Sequence, residues 1–301
     1  MNNMFFGADS KLRSGWRFLI FLLITLFVSS LVNALFLLAK DFLPAACKEN
    51  RYAANAFSGL IGFGIVLVVS LFCGKYLEAI PFSALGTNFN GKWFLDLALG
   101  LLYGIAAISL AMLISVATGG ITIAWNTNAS AAAITNTLIG TFCIFVAGSL
   151  FEEILSRGYM LQTFVRSNLA VFGVLFTSSL FAAGHLGNPH ATFISTLNTL
   201  LAGIVLAYGY LSTKALWFPY GFHFAWNWFQ GPVYGAEVSG LGELVPAPLM
   251  VETDFGPNWL TGGDYGFEGG LVCTIALGLS FIAIYFLIAR KRNEGAQLSE
   301  I

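Results

Sequence analysis

Long apolar stretches follow one another along this chain, and they leave it few folds to choose from. They run near 18–39, 54–74, 94–117, 134–155, 169–186, 191–212, 214–230 and 269–289. A helix needs about 20 such residues to cross the hydrocarbon of a bilayer. The stretches are continuous, without the two-residue alternation of a barrel strand. Only helices and closed barrels satisfy their own backbone polar groups in lipid. Soluble domains carry roughly 25% charged residues; here 10% are charged and 57% hydrophobic. The expected fold is therefore all-α, a polytopic transmembrane helical bundle of about eight spans.

The few charges suggest an orientation. With residues 1–17 in the cytoplasm, Lys11, Arg13, Arg17, Lys75, Lys92, Arg157, Arg166, Lys214, Arg290, Lys291 and Arg292 fall on the cytoplasmic side, and Lys40, Lys48 and Arg51 outside. Cytoplasmic loops concentrate Lys and Arg, so the expectation is N-in and C-in. Residues 18–290 then form one membrane domain, with a motif-bearing core at about 90–290 and a short polar tail at 291–301 that is expected to fray. The segment 231–268 lies outside, holds six acids and no Lys or Arg, and reads as an ordered loop on the membrane surface. The run after Arg17 is too long for a signal-peptide core and ends without a small-residue cleavage site, so it reads as a first anchor. A net charge of −1 points to no nucleic-acid partner. Cys47, Cys73, Cys143 and Cys273 are far apart and form no metal or disulfide framework; the last three sit in apolar runs, where buried free thiols are expected.

Ionisable side chains inside a bilayer are costly and mark functional positions. Of fifteen acids, Asp96, Glu152 and Glu153 are the ones placed in or at the edge of a span. Asp96 follows Trp93 in a first helical turn, where the helix dipole favours a carboxylate. Glu152 and Glu153 point about 100° apart on a helix. Glu153 pairs with Arg157 at i, i+4. Glu152 then faces an apolar setting that would raise its pKa and suit it to acid–base work. His185 and His223 lie in two further spans, and His190 in a Gly-Asn-Pro-His turn. Asn227, one turn after His223, shares its helix face, so both can donate hydrogen bonds to one developing oxyanion.

Spacing places Glu152 level with His185. A turn centred on Asn168 has Glu152 16 residues before it and His185 17 after it. In an antiparallel hairpin both then sit roughly 20–25 Å from the tip. This requires a fourth helix of about 30 residues, Thr135 to Arg166, that tilts or protrudes, and it puts the irregular 187–190 turn at membrane depth. Such backbone is tolerated where it lines a water-filled cavity, which a membrane hydrolase needs.

Glu152-Glu153-x-x-x-Arg157-Gly158, Phe181-x-x-x-His185 and His223-x-x-x-Asn227 resemble the three motifs of the CPBP intramembrane peptidases. That family includes the type II CAAX prenyl endopeptidases and bacterial proteins linked to bacteriocin processing and self-immunity. The stretch from Trp226 to Gly270 is similar to a region of bacterial members, and implies a bacterial inner membrane. The resemblance implies that Glu152 activates water with help from His185, and that His223 and Asn227 bind the oxyanion. Glu153 and Arg157 would support and orient, and Phe181 would shape the pocket wall. The implied partner is a membrane-associated peptide or protein. Glu152, His185 and His223 could supply three zinc ligands, but no HExxH helix is present and Asn227 is a poor ligand, so catalysis is expected without metal or other cofactor. Two other classes compete: a non-proteolytic membrane scaffold or regulator, and a proton-coupled transporter, although neither an inverted repeat nor paired broken helices are seen.

Overall fold

The computed structural model describes residues 4–7, 11–39, 50–89 and 91–298. Lys40, Cys47 and Lys48 lie outside the described residues, as do the side chains of Arg290, Lys291 and Arg292. Helices form at each of the eight apolar stretches: α1 Ser14–Ala39, α2 Arg51–Cys73, α3 Trp93–Ala117, α4 Ala131–Val165, α5 Ala170–Gly184, α6 Phe193–Thr213, α7 Trp217–Trp228 and α8 Leu271–Leu298. Helix α8 runs through most of the tail that was expected to fray. By length and composition, α1, α2, α3, α4 and α6 are long and apolar enough to cross a membrane; α5 and the first part of α8 are apolar but shorter. Helix α7 has 12 residues, about 18 Å of rise against roughly 30 Å of hydrocarbon. It is a buried inner element, extended by a π turn at Phe229–Val233.

The outer surface explains the missing charge. Leu23, Phe27 and Leu31 of α1, Phe57 and Val68 of α2, Leu102 and Leu113 of α3, Val171 of α5, and Ile282 and Phe286 of α8 are all exposed. Monomeric soluble proteins expose no continuous apolar surface of that extent; a multi-pass integral membrane protein does.

Helix α7 is seated by glycines. A Cβ on Gly100 or Gly104 of α3 would lie 2.1 Å from the Phe218 carbonyl oxygen or 2.4 Å from that of Phe222. Only hydrogen side chains allow the two backbones so close, the small-xxx-small mode of membrane helices. Around this crossing Ile108, Ala111, Phe218, Phe222, Val272 and Leu277 form one core cluster. A second joins Phe21 of α1, Val69 of α2, Ile154, Tyr159 and Leu161 of α4, and Tyr210 of α6.

At one end of the bundle Glu78, at the close of a π turn after α2, ties three elements together. Arg166 grips it with two hydrogen bonds of 2.8 Å, Arg17 pairs with the same carboxylate, and Arg17 Nη2 donates to Ser167 Oγ at 2.8 Å. Glu78 is thus a buried acid that the sequence reading does not place near a span. The segment 231–268 is tied into the bundle. A short antiparallel ribbon pairs β1 Ile121–Trp125 with β2 Met250–Asp254, and Ala236, Val238, Tyr265 and Phe267 are buried.

Candidate active site

Helix α4 carries the Glu pair, and its length of 35 residues meets the requirement of the hairpin spacing. Asn168 turns the chain with φ of 59°, α5 starts at Ala170, and His185 is the residue that ends it. Directly after Glu153 the backbone widens into a π segment, Ile154–Met160, where Gly158 leaves helical geometry at ψ −117°. Such π insertions concentrate at functional positions.

Glu152, His185, His223 and Asn227 line one cavity of about 290 Å³, together with Phe181, Asn188 and Ser149. The two glutamates divide as their 100° offset demands, with one change to the expected setting. Glu152 is not sealed among apolar groups: its side chain is 34% exposed, opening on the cavity. Glu153 is the fully buried one. Its Oε1 accepts from Arg157 Nη1 at 2.8 Å and meets His223 Nδ1 at 2.9 Å. Arg157 donates its other nitrogen to the Gly203 carbonyl of α6 at 3.1 Å and lies over the Phe181 ring, 4.7 Å from its centre. Phe181 in turn stands 4.8 Å from the His185 ring and 5.9 Å from the His223 ring. One buried ion pair therefore braces α4, α5, α6 and α7 behind the cavity.

The partners fix which ring nitrogen is available. His185 Nδ1 faces the Phe181 carbonyl oxygen at 2.8 Å, and His223 Nδ1 faces the Glu153 carboxylate. Both partners only accept hydrogen bonds, so each Nδ1 carries a proton and each Nε2 is the free position. His223 Nε2 stands 3.7 Å from Glu152 Oε2. Glu152 Oε2 and Ser149 Oγ are buried without a hydrogen-bond partner among the described residues, so they remain open to a bound group. Among the described residues, no three His, Cys, Asp or Glu side chains converge as ion ligands. The set Glu152, His185 and His223 has the atom types that zinc takes.

Asp96 is a buried residue in the first turn of α3. His190 sits away from the cavity in a turn with φ of 59°, 3.9 Å from Asp264, both exposed. Cys73 and Cys273 are buried as expected, whereas Cys143 is exposed.

One cavity residue escapes the sequence reading altogether. Glu268 comes from the segment before α8, and its Oε2 accepts from both the backbone N–H and the hydroxyl of Ser239 at 2.7 Å each. Burial raises its pKa, partly offset by the Ser239 hydrogen bonds and by His185 and His223 nearby. Its only sequence signal is a carboxylate three residues before an apolar helix.

Residues 134–229 match the family described as type II CAAX prenyl endopeptidase Rce1-like, a family of membrane proteases. The matched stretch runs from α4 to just past α7 and contains Glu152, Glu153, Arg157, Phe181, His185, His223 and Asn227. It covers roughly a third of the chain, and Glu268 lies outside it. No curated protein and no solved structure matches the chain.

Proposed function

From the premise of an Rce1-like domain over residues 134–229, we propose that this protein is an intramembrane endopeptidase that hydrolyses a peptide bond of a membrane-associated protein or peptide. The observation that carries this reading is the pairing across one cavity of Glu152 with His223 Nε2, the latter held from behind by Glu153.

In the proposed reaction Glu152 takes a proton from water held between its carboxylate and His185 Nε2. The resulting hydroxide attacks the scissile carbonyl carbon, and the carbonyl π electrons move to oxygen. Protonated His223 Nε2 and the Asn227 amide donate to that oxyanion. On collapse the C–N bond breaks, Glu152 returns its proton to the leaving amine, and the products are a carboxylic acid and an amine. Glu153 and Arg157 act as positioning residues, because they reach the reacting atoms only through His223 and Phe181. The active site works without metal, the chain lies N-in and C-in, and the bacterial inner membrane is its location.

The test is hydrolysis of a fluorogenic membrane-anchored peptide library by purified protein, comparing wild type with Glu152→Gln, each with and without chelator. The proposal expects chelator-insensitive cleavage that the variant loses by roughly a hundredfold or more. Wild type that cleaves nothing, with a Glu152→Gln variant that still complements the cellular phenotype, would transfer the role to a scaffold.

A further inference from the structure

The cavity has an electrostatic imbalance. None of its lining residues is Lys or Arg. Arg157, behind the wall, is spent on Glu153. That leaves two carboxylates, Glu152 and Glu268, facing two imidazoles. The mechanism uses Glu152; it makes no use of Glu268.

Glu268 is held as a built part of the wall. Ser239 gives both its donors to Oε2, while Oε1 receives no hydrogen bond from the described residues. The backbone beneath is locked by Asn198 of α6, which is buried: its Nδ2 donates to the Glu268 carbonyl at 2.9 Å and to the Gly270 carbonyl at 2.8 Å. The Thr274 hydroxyl of α8 fixes the Asn198 amide in turn, at 2.6 Å. Gly266, at φ of 87°, brings the chain so close to the Glu237 carbonyl that a Cβ there would lie 1.9 Å from it. Glu268 is half-buried, and a carboxylate partly withdrawn from water is costly unless a cation or strong donors compensate it. Two donors cover one oxygen, and the other is left for whatever enters.

We propose that Glu268 is a specificity-determining residue that pairs with a cationic side chain, a lysine or arginine, of the substrate segment in the cavity. The placement suits such a substrate: Glu268 belongs to the acidic segment 231–268, which carries six acids and no Lys or Arg, and it lines the same cavity as Glu152, His185 and His223. A membrane segment with one cation near its end would put its apolar residues against Phe145, Leu206 and Leu277 and its charge on Glu268. This inference rests on the peptidase reading for its substrate, and the experiment separates the two.

The probes are lipid-anchored fluorescent peptides of apolar sequence with one residue set as lysine, acetyl-lysine or norleucine, moved along the register. Binding is measured by anisotropy on full-length Glu152→Gln protein and on the Glu152→Gln/Glu268→Gln double variant; turnover of the same peptides is measured on wild type. In at least one register the lysine peptide binds about tenfold tighter than both neutral forms, as expected for a charge-assisted bond out of water, and the double variant loses that preference. No lysine preference in any register, or one that survives Glu268→Gln, overturns the inference. If Glu268→Gln does not fold, the lysine series on Glu152→Gln protein still decides. Peptides cleaved without lysine preference sink the cation site and leave the peptidase standing; a lysine peptide bound tightly but never cleaved does the reverse.

Discussion

Glu153, Arg157 and His223 carry the energetic weight behind the cavity, and they do so in a place where a broken pair is expensive. Removing one member of a buried ion pair typically costs about 3–5 kcal/mol, because the other charge is left without compensation. Glu153→Gln strands Arg157, and Arg157→Met strands Glu153. Each should lower the thermal unfolding midpoint sharply, while Glu153→Gln/Arg157→Met should cost less than the sum of the two. Additive losses would mean that the pair is not a unit. The i, i+4 pairing of Glu153 with Arg157 is legible in the sequence, because a helix dictates it. The bond from Glu153 to His223 is not, since it joins residues 70 positions apart and depends on how α7 is seated. The same limit applies to Glu152. An apolar neighbourhood in sequence suggests a sealed carboxyl, yet the fold opens a cavity beside it. Glu268 is hidden for a further reason: nothing in a Gly-rich loop says that Ser239 and Asn198 will hold its carboxylate at a cavity wall.

At the scale of elements, the crossing of α3 and α7 sets where His223 stands. Gly104→Ala would push a methyl to within 2.4 Å of the Phe222 carbonyl oxygen, next to His223. Overpacking of this kind costs about 1–3 kcal/mol, and here it also shifts α7. Gly64→Ala in α2 meets nothing within 4 Å and should be neutral or stabilising by roughly 0.5–1 kcal/mol, since Ala is the better helix former. Thermal unfolding and peptide cleavage of the two variants should diverge; equal behaviour would refute the close crossing. The spacing Gly100-x-x-x-Gly104 is visible in the sequence, but its partner helix is not. The ribbon of β1 and β2 was also invisible, because an all-α reading has no reason to join strands more than a hundred residues apart. It carries a pH signature. Burial, with Asp254 and Glu237 close by, pushes the Glu252 carboxyl up to about 7. Its unfolded value is near 4.3, so the folded state binds the proton more tightly. The resulting stability is present at low pH and is lost as pH rises through about 7. Glu252→Gln should therefore raise the unfolding midpoint at pH 8 and leave it unchanged near pH 4, an effect of no more than ~1 kcal/mol for a group that is part exposed. A pH-independent effect would exclude this titration as the cause.

For the whole molecule, the eight apolar stretches were legible because hydrocarbon imposes length and apolarity on any crossing helix, and most ends lie within a few residues of expectation; the far ends of α4 and α8 run on to Val165 and Leu298, well past 155 and 289. What composition could not distinguish is a helix that faces lipid from one enclosed by its neighbours: α7 is apolar because it is surrounded by protein, and it reaches further only through the π turn that continues it to Val233. The latch of Arg17, Glu78 and Arg166 places two of the charges used for orientation, Arg17 and Arg166, at one end of the bundle. A reporter fused after Glu252 should accordingly report the side opposite a reporter at the N-terminus; signals from the same side would overturn the topology.

The central claim is direct attack by water activated on Glu152, and the most telling measurement is a single turnover in ¹⁸O-labelled water with intact-mass analysis of enzyme and products. The account predicts one labelled oxygen in the new carboxyl terminus, no covalent adduct on the protein at any time point, and no label incorporation with Glu152→Gln. An acyl adduct on the enzyme, or undiminished labelling by Glu152→Gln, would contradict it.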